Sequence, residues 1–534
     1  MLKLLPLIPL AQVLIQPAPV LPPPVVQPIL QPQEVRALPG ELDEVPVFNS
    51  NSPEVVQQAG ILLSTFPKDG RRSPSAHLEH TFEGRFDIFA HHIARGLTPN
   101  DVRTLFIGIL LHNPSDRPVT VDVLQAVTYL SQEAPFHNLP SYVLNSNGSV
   151  FAGPGSRTTT DMLRGVRQGI IPERIVLAPG STQLLANLPI PLRSLELFRN
   201  GAPLPQDVGL DAAEALNPFP GEPQPGAAAV PPRRELPING RTAQMYLSSD
   251  GPVHIASLGM HAKVTSTGVE RAPSLAEWME LLDQGNLAGP RDIAPSPPNA
   301  RRQGRFFYGR VAGVSQGSRW EALLTDSERD SHLTIPEPGE AISFAISTVD
   351  NNTLGTGQIQ SAPMLQRYSD TAYRSHGNYG VHYNLRLPLR NDSDRPRQVA
   401  ILFQTPIKDE QLRGQGLRFL NPPQDRIFYR GTIRLRYRND WGVLQTRYVH
   451  VVQRRGQQGE PLITLQLRQG DRREVEVDFF YPPDATPPQV LTVQTLDGDT
   501  IPNPDSDGAP VLSSQPTSLQ PALPEAIDTL VPND

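Results

Sequence analysis

Two stretches of this chain read almost alike: Ile107-Gly-Ile-Leu-Leu-His-Asn113-Pro-Ser-Asp116-Arg117-Pro118-Val119 and Leu385-Arg-Leu-Pro-Leu-Arg-Asn391-Asp-Ser-Asp394-Arg395-Pro396-Arg397. Each is a strand, a polar turn and a second strand. Asn at the turn entry and Ser-Asp within it bond their own backbone, and Pro presets φ for the exit. A hairpin used twice implies an internally duplicated β architecture, since a repeat at fixed offset usually copies one supersecondary unit. Neither copy carries a reactive group.

Working outward, short apolar runs such as Arg85-Phe-Asp-Ile-Phe-Ala90, Leu105–Leu111 and Val119-Thr-Val-Asp-Val123 alternate with turn residues. Ile175-Val-Leu-Ala-Pro-Gly-Ser-Thr-Gln-Leu-Leu reads as a closing hairpin, and the whole of 47–196 as one β-sandwich. Met245–Ala256 reads as a hairpin around Asp250-Gly251. Ser274-Leu-Ala-Glu277 is a capping box that opens a short helix through Trp278, Leu281 and Leu282, ended by Gly285. Strand alternation returns in Thr432-Ile-Arg-Leu-Arg-Tyr-Arg438 and Arg473-Glu-Val-Glu-Val-Asp-Phe-Phe480. The fold expected is all-β: two tandem, Ig-like β-sandwich modules with Pro-rich linkers and one or two short helices. The second sandwich spans 366–496, and 238–365 packs with it.

Composition supports this plan. The 59 prolines and 40 glycines form almost a fifth of 534 residues, against an average near about 12%, so turns and extended segments dominate. A chain this long exceeds one core of roughly 250 to 300 residues. With no cysteine, disulfides, thiolate metal sites and cysteine nucleophiles are excluded. The net charge of −7 hides an uneven spread: seven acids and no base lie from Asp497 onward, whereas Arg386–Arg473 is strongly basic. That asymmetry points to an anionic partner.

Met1-Leu-Lys3 and the apolar run Leu4–Ile15 read as a signal peptide or N-terminal anchor over 1–16, too short to span a bilayer in the usual way. No other segment is expected to cross a membrane. The nine prolines of Pro17–Pro46 make a semi-rigid linker. Residues 197–237, rich in Pro, Gly and Ala, read as a linker or surface loop, and 497–534 as an acidic disordered tail.

Several phrases are distinctive: Val47-Phe-Asn-Ser-Asn-Ser-Pro53, Gly84-Arg-Phe-Asp-Ile-Phe-Ala-His-His92, Leu287-Ala-Gly-Pro-Arg-Asp292, Tyr308-Gly-Arg-Val-Ala-Gly313, Gly355–Pro363, His376-Gly-Asn-Tyr-Gly380 and Phe479-Phe-Tyr-Pro-Pro-Asp-Ala-Thr-Pro-Pro-Gln-Val490. Together, over about Gln33 to Val493, the chain resembles a family of exported cyanobacterial proteins of unknown function. The resemblance implies a cyanobacterial source and an envelope, periplasmic or secreted location. It brings no catalytic or binding residues with it.

Gly313-Val-Ser315-Gln-Gly317 matches the nucleophile-elbow pattern, with Asp350 and His376 following in order. The β-rich surroundings oppose the strand-to-helix turn that the pattern needs. His77, His80, His91 and His92 lack a metal-ligand spacing, since neighbours on a strand point to opposite faces. Asn503-Pro-Asp505-Ser-Asp507-Gly508 begins like a calcium loop but has Ser514 where such a loop needs Glu. His376 and, between Gly377 and Gly380, Asn378 and Tyr379 form a loop suited to a sugar ligand. The strongest candidate is Arg434, Arg436 and Arg438: alternating with apolar residues, they place a row of guanidinium groups on one strand face.

No catalytic residue, metal or cofactor is assigned. The function expected is an exported, non-enzymatic envelope protein contacting an anionic envelope polysaccharide, or other envelope proteins, through the arginine row. The alternatives are a carbohydrate-active or ester-hydrolysing enzyme and an assembly factor for exported proteins. Nucleic acid is not an expected partner, because no aromatic-interleaved basic motif appears.

Overall fold

The computed structural model describes residues 25–134, 136, 138–192, 236–298, 300, 306–409 and 416–497. The duplicated phrase is in the expected place, but it is not a hairpin. Thr104–His112 pairs with Thr182–Pro191, whereas Val119–Leu130 pairs with Arg174–Leu177. In the second copy His382–Arg390 pairs with Arg472–Phe480, and Arg397–Gln404 with Pro461–Leu467. Each copy is therefore an arch whose two strands do not pair with each other, and the Ile175–Leu185 connection is the matching arch rather than a closing hairpin.

A buried asparagine ties each pair of arches together. Asn113 Nδ2 donates to the carbonyls of Arg117, Leu177 and Ala178 at 2.6, 3.1 and 3.2 Å, and its Oδ1 accepts from Ser115 N and Oγ. Asn391 repeats the set on Arg395, Leu467 and Arg468 at 2.8, 3.0 and 3.2 Å, with Ser393 as donor. Turn carbonyls that would otherwise be buried without partners are thereby satisfied.

The duplication extends to five consecutive strands, part of a larger sheet in the first half and a whole sheet in the second. In the first half the strand order is Arg174–Leu177, Val119–Leu130, Ile238–His261, Phe82–Arg95, Pro46–Ser50. In the second it is Pro461–Leu467, Arg397–Gln404, Gln489–Thr495, Ala341–Ile346, Glu34–Arg36. Both have three antiparallel contacts and then one parallel one. Each half has its own core: Phe86, Ile88, Ile109, Val121, Met245 and Leu247 in one, and Leu385, Ile401, Phe403, Leu435, Val477 and Leu491 in the other. In the second, this five-stranded sheet packs its apolar face on a seven-stranded sheet that holds Ile427–Arg438.

Linear boundaries do not follow these halves. Ile238–His261 is one continuous strand, not a hairpin at Asp250-Gly251, because both of its ends pair outward with Phe82–Arg95, Val119–Leu130 and Thr104–His112. The bend at Asp250 is only a register shift, and its carboxylate accepts from Thr120 N at 2.7 Å. That strand and the capped helix Leu275–Gln284 join the first half, while Arg319–Leu323 and Ala341–Ile346 join the second. Trp278 of the helix lies on Gly108, where a Cβ would come within 2.6 Å of the indole.

Part of the proline-rich stretch is folded too. Gln27–Gln31 pairs with Leu417–Asn421, and Leu38 is buried in the second core. Residues 1–16, 193–235 and 498–534, with the 503–508 stretch, lie outside the described residues. Among the described residues no helix is long and apolar enough to cross a membrane.

Candidate functional site

The face of Ile427–Arg438 that carries the arginine row is largely covered. Residues 138–173, inserted in the first half, cross to the second: Tyr142–Leu144 adds to the edge of Leu444–Arg454, and the helix Ser156–Leu163 packs over the arginine strand. Thr160 Oγ1 lies 2.8 Å from Thr432 Oγ1, and Arg434 reaches the Leu163 carbonyl at the helix end.

Beneath that helix the arginines have acidic partners. Arg430 meets Asp484 at 2.8 Å, and Arg434 meets the buried Asp478 at 3.0 Å. Asp478 also accepts from Asn384 at 2.5 Å and lies 3.3 Å from His382. Burial alone would raise its pKa, but His382, Asn384 and Arg434 together outweigh burial and hold it down to about 2. Arg436 pairs with Glu476, and Arg386 with Glu474. The row read from sequence is thus a cross-strand ion-pair ladder over most of its length. Arg438 differs: exposed, it donates to the Gly442 carbonyl at 2.8 Å and has no carboxylate partner among the described residues.

The glycine-flanked loop is internal. Asn378 is buried, with its amide on the Gln360 carbonyl and the Tyr383 hydroxyl, and Tyr379 donates to the Ala485 carbonyl at 3.0 Å. His376 lies 3.2 Å from Asp350 and packs on the Tyr308 ring at 4.5 Å. That histidine holds the Asp350 carboxyl below its ordinary range. Neither Asn378 nor Tyr379 offers its polar end to a ligand. Sequence proximity suggested an exposed loop; packing on the second core, invisible in sequence, covers it.

Ser315 lies within the strand Ala312–Gln316, buried between Pro46–Ser50 and Ala362–Arg367. It is not on a strand-to-helix turn, and no hydrogen bond joins it to His376 among the described residues. It borders a small recess with Asn49, Asp87, Gln244 and Ser375, with room for about one water molecule.

The histidines are held one by one. His92 lies 2.8 Å from Ser50 Oγ and from the Pro53 carbonyl, His91 2.8 Å from Thr242 Oγ1, and His77 2.9 Å from Ser64 Oγ. Burial pushes His91 down to about 3, and His77, His92 and His450 to about 4. Carboxyls oppose them: burial raises Glu54 and Asp87 to about 7 and moves Asp484 the same way. Below about 6.5 the unfolded chain protonates its histidines while these four stay neutral, so they favour unfolding as pH falls toward 4. Glu54 and Asp87 act in the opposite sense over about 4 to 7. Burial also lowers His80, His112, His254, His261 and His382, so the histidines outweigh the carboxyls and the melting temperature is expected to fall between pH 7 and pH 5 by scanning calorimetry; a flat or rising profile would refute this balance.

The class defined so far is an all-β protein with two duplicated cores and a basic hairpin end on the second. The chain matches the family described as Protein of unknown function (DUF3370) over residues 33–495, and it belongs to that family. No curated protein matches the chain.

Proposed function

We propose that this chain is an extracytoplasmic, non-enzymatic protein of the cyanobacterial envelope that contacts an anionic envelope polysaccharide through the open end of its second sandwich. The observation that carries the reading is the charge left over at that end. Arg434 and Arg436 are neutralised by Asp478 and Glu476, whereas Arg438 and the nearby Arg472 are exposed without a carboxylate partner among the described residues. Guanidinium groups bind carboxylate and phosphate by a planar fork and keep their charge at any physiological pH. The contact is therefore narrower than the row of three arginines, and it centres on Arg438.

The test is co-sedimentation of the protein with purified envelope across a salt series. Binding should weaken steeply with salt, because exposed charges are screened within about 10 Å at 0.1 M. The double substitution Arg438→Gln with Arg472→Gln should weaken it at low salt. Binding that ignores both salt and these substitutions would remove the reading.

A further inference from the structure

The strand Ile427–Arg438 turns into Leu444–Arg454 through Asn439-Asp440-Trp441-Gly442-Val443. The tip is held in one shape. Asn439 Oδ1 accepts from Trp441 N at 3.1 Å and Val443 N at 2.9 Å, Asn439 N donates to the Val443 carbonyl at 2.9 Å, and Gly442 takes the positive φ the turn needs. This leaves three large apolar side chains in water: Trp441 is 63% exposed, Val443 54% and Leu444 62%. The other two tryptophans, Trp278 and Trp320, are 0% and 4% exposed.

Positive charge surrounds these side chains. The segment from Arg436 to Arg447 holds three arginines and one acid; Arg436 is paired with Glu476, which leaves Arg438 and Arg447 as its arginines without a carboxylate partner among the described residues. That acid, Asp440, is paired with Arg473 at 3.1 Å, and Arg473 also donates to the Arg438 carbonyl. We propose that this tip is a membrane-contact wedge: Trp441, Val443 and Leu444 enter the interfacial layer of an anionic lipid bilayer while Arg438 and Arg472 face its phosphates.

At Trp441, Val443 and Leu444 the chemistry favours lipid over a sugar chain, whereas the guanidinium groups of Arg438 and Arg472 suit the anionic groups of either. Val443 and Leu444 have no donor or acceptor for hydroxyls, and a protruding turn gives a polysaccharide no groove. A tryptophan with apolar neighbours and a basic rim fits the boundary between headgroup and acyl chain. Each arginine near an anionic surface contributes about fivefold in affinity. The inference takes an envelope location from the proposed function but does not depend on the polysaccharide.

The experiment uses the full chain with vesicles of phosphatidylglycerol and phosphatidylcholine in equal parts, vesicles of phosphatidylcholine alone, and soluble alginate. Trp441 alone among the three tryptophans is open to water, so a blue shift of intrinsic emission and protection from acrylamide report on the tip. The expected result is binding and a blue shift with anionic vesicles, about fivefold weaker binding for Arg438→Gln, and loss of the shift with loss of most binding for Trp441→Ser. Both residues are exposed, so neither variant should lower the melting temperature. Binding to alginate without any vesicle response would overturn the wedge and leave the polysaccharide reading standing. Vesicle binding that survives Trp441→Ser unchanged would also overturn it, as would no response to vesicles of either kind.

Discussion

Asn391→Asp should destabilise the second core by about 3 to 5 kcal/mol, more than most substitutions in this chain, although it changes only an amide nitrogen to oxygen. The Asn391 amide nitrogen donates to three carbonyls from two separate turns. A carboxylate there faces three acceptors with no proton to offer, and a protonated acid satisfies one of them at most. Asn391→Ala should cost about 3 kcal/mol, because it leaves the same carbonyls unpaired without adding charge. The corresponding changes at Asn113 should loosen the first core by a similar amount, since its hydrogen bonds are the same in kind. Calorimetry would give the size of the loss, and hydrogen exchange would show which half opens. An aspartate variant within about 1 kcal/mol of the parent protein would contradict the role given to this side chain.

The second large effect is expected at Arg434. Arg434→Met removes the cation that sits 3.0 Å from Asp478, a carboxylate with no exposed surface, and should cost about 3 kcal/mol by leaving that buried charge to Asn384 and His382 alone. Pairing it with Asp478→Asn should restore much of the loss, which a double-mutant cycle would measure. Arg438→Met, at an exposed position without a carboxylate partner, should change stability by no more than about 0.5 kcal/mol. Equal costs at Arg434 and Arg438 would contradict the division of the row into a structural part and an exposed end. It follows that charge reversal at Arg434 reports on folding, and that a binding test belongs at Arg438, Arg472 and Trp441.

The β character of the chain was legible because strand alternation and turn chemistry are local. The same holds for the helix cap, where Ser274 and Glu277 lie three residues apart and bond each other's backbone as the spacing predicts. The arginine alternation was legible for the same reason, but its meaning was not. Asp478, Glu476 and the helix Ser156–Leu163 that neutralise and cover it come from distant parts of the chain. Trp441 was passed over because its only local signal was a turn, and exposure is a property of the surroundings. The loop at His376 failed in the opposite sense: glycines promised access, but packing on the second core filled the space with Tyr383, Gln360 and Ala485.

By itself, then, the sequence determined what depends on neighbours along the chain: strand periodicity, the capped helix, and a turn repeated at Asn113 and Asn391. Tertiary structure decided what depends on neighbours in space. It made each repeat an arch rather than a hairpin, ran Ile238–His261 straight through Asp250-Gly251, and left Arg438 and Trp441 in water while pairing the half-buried Arg434 with Asp478. The physical reason is that a turn residue constrains only its own φ and ψ. Which strand pairs with which, and which charge meets its counter-ion, is set by packing two apolar sheet faces against each other.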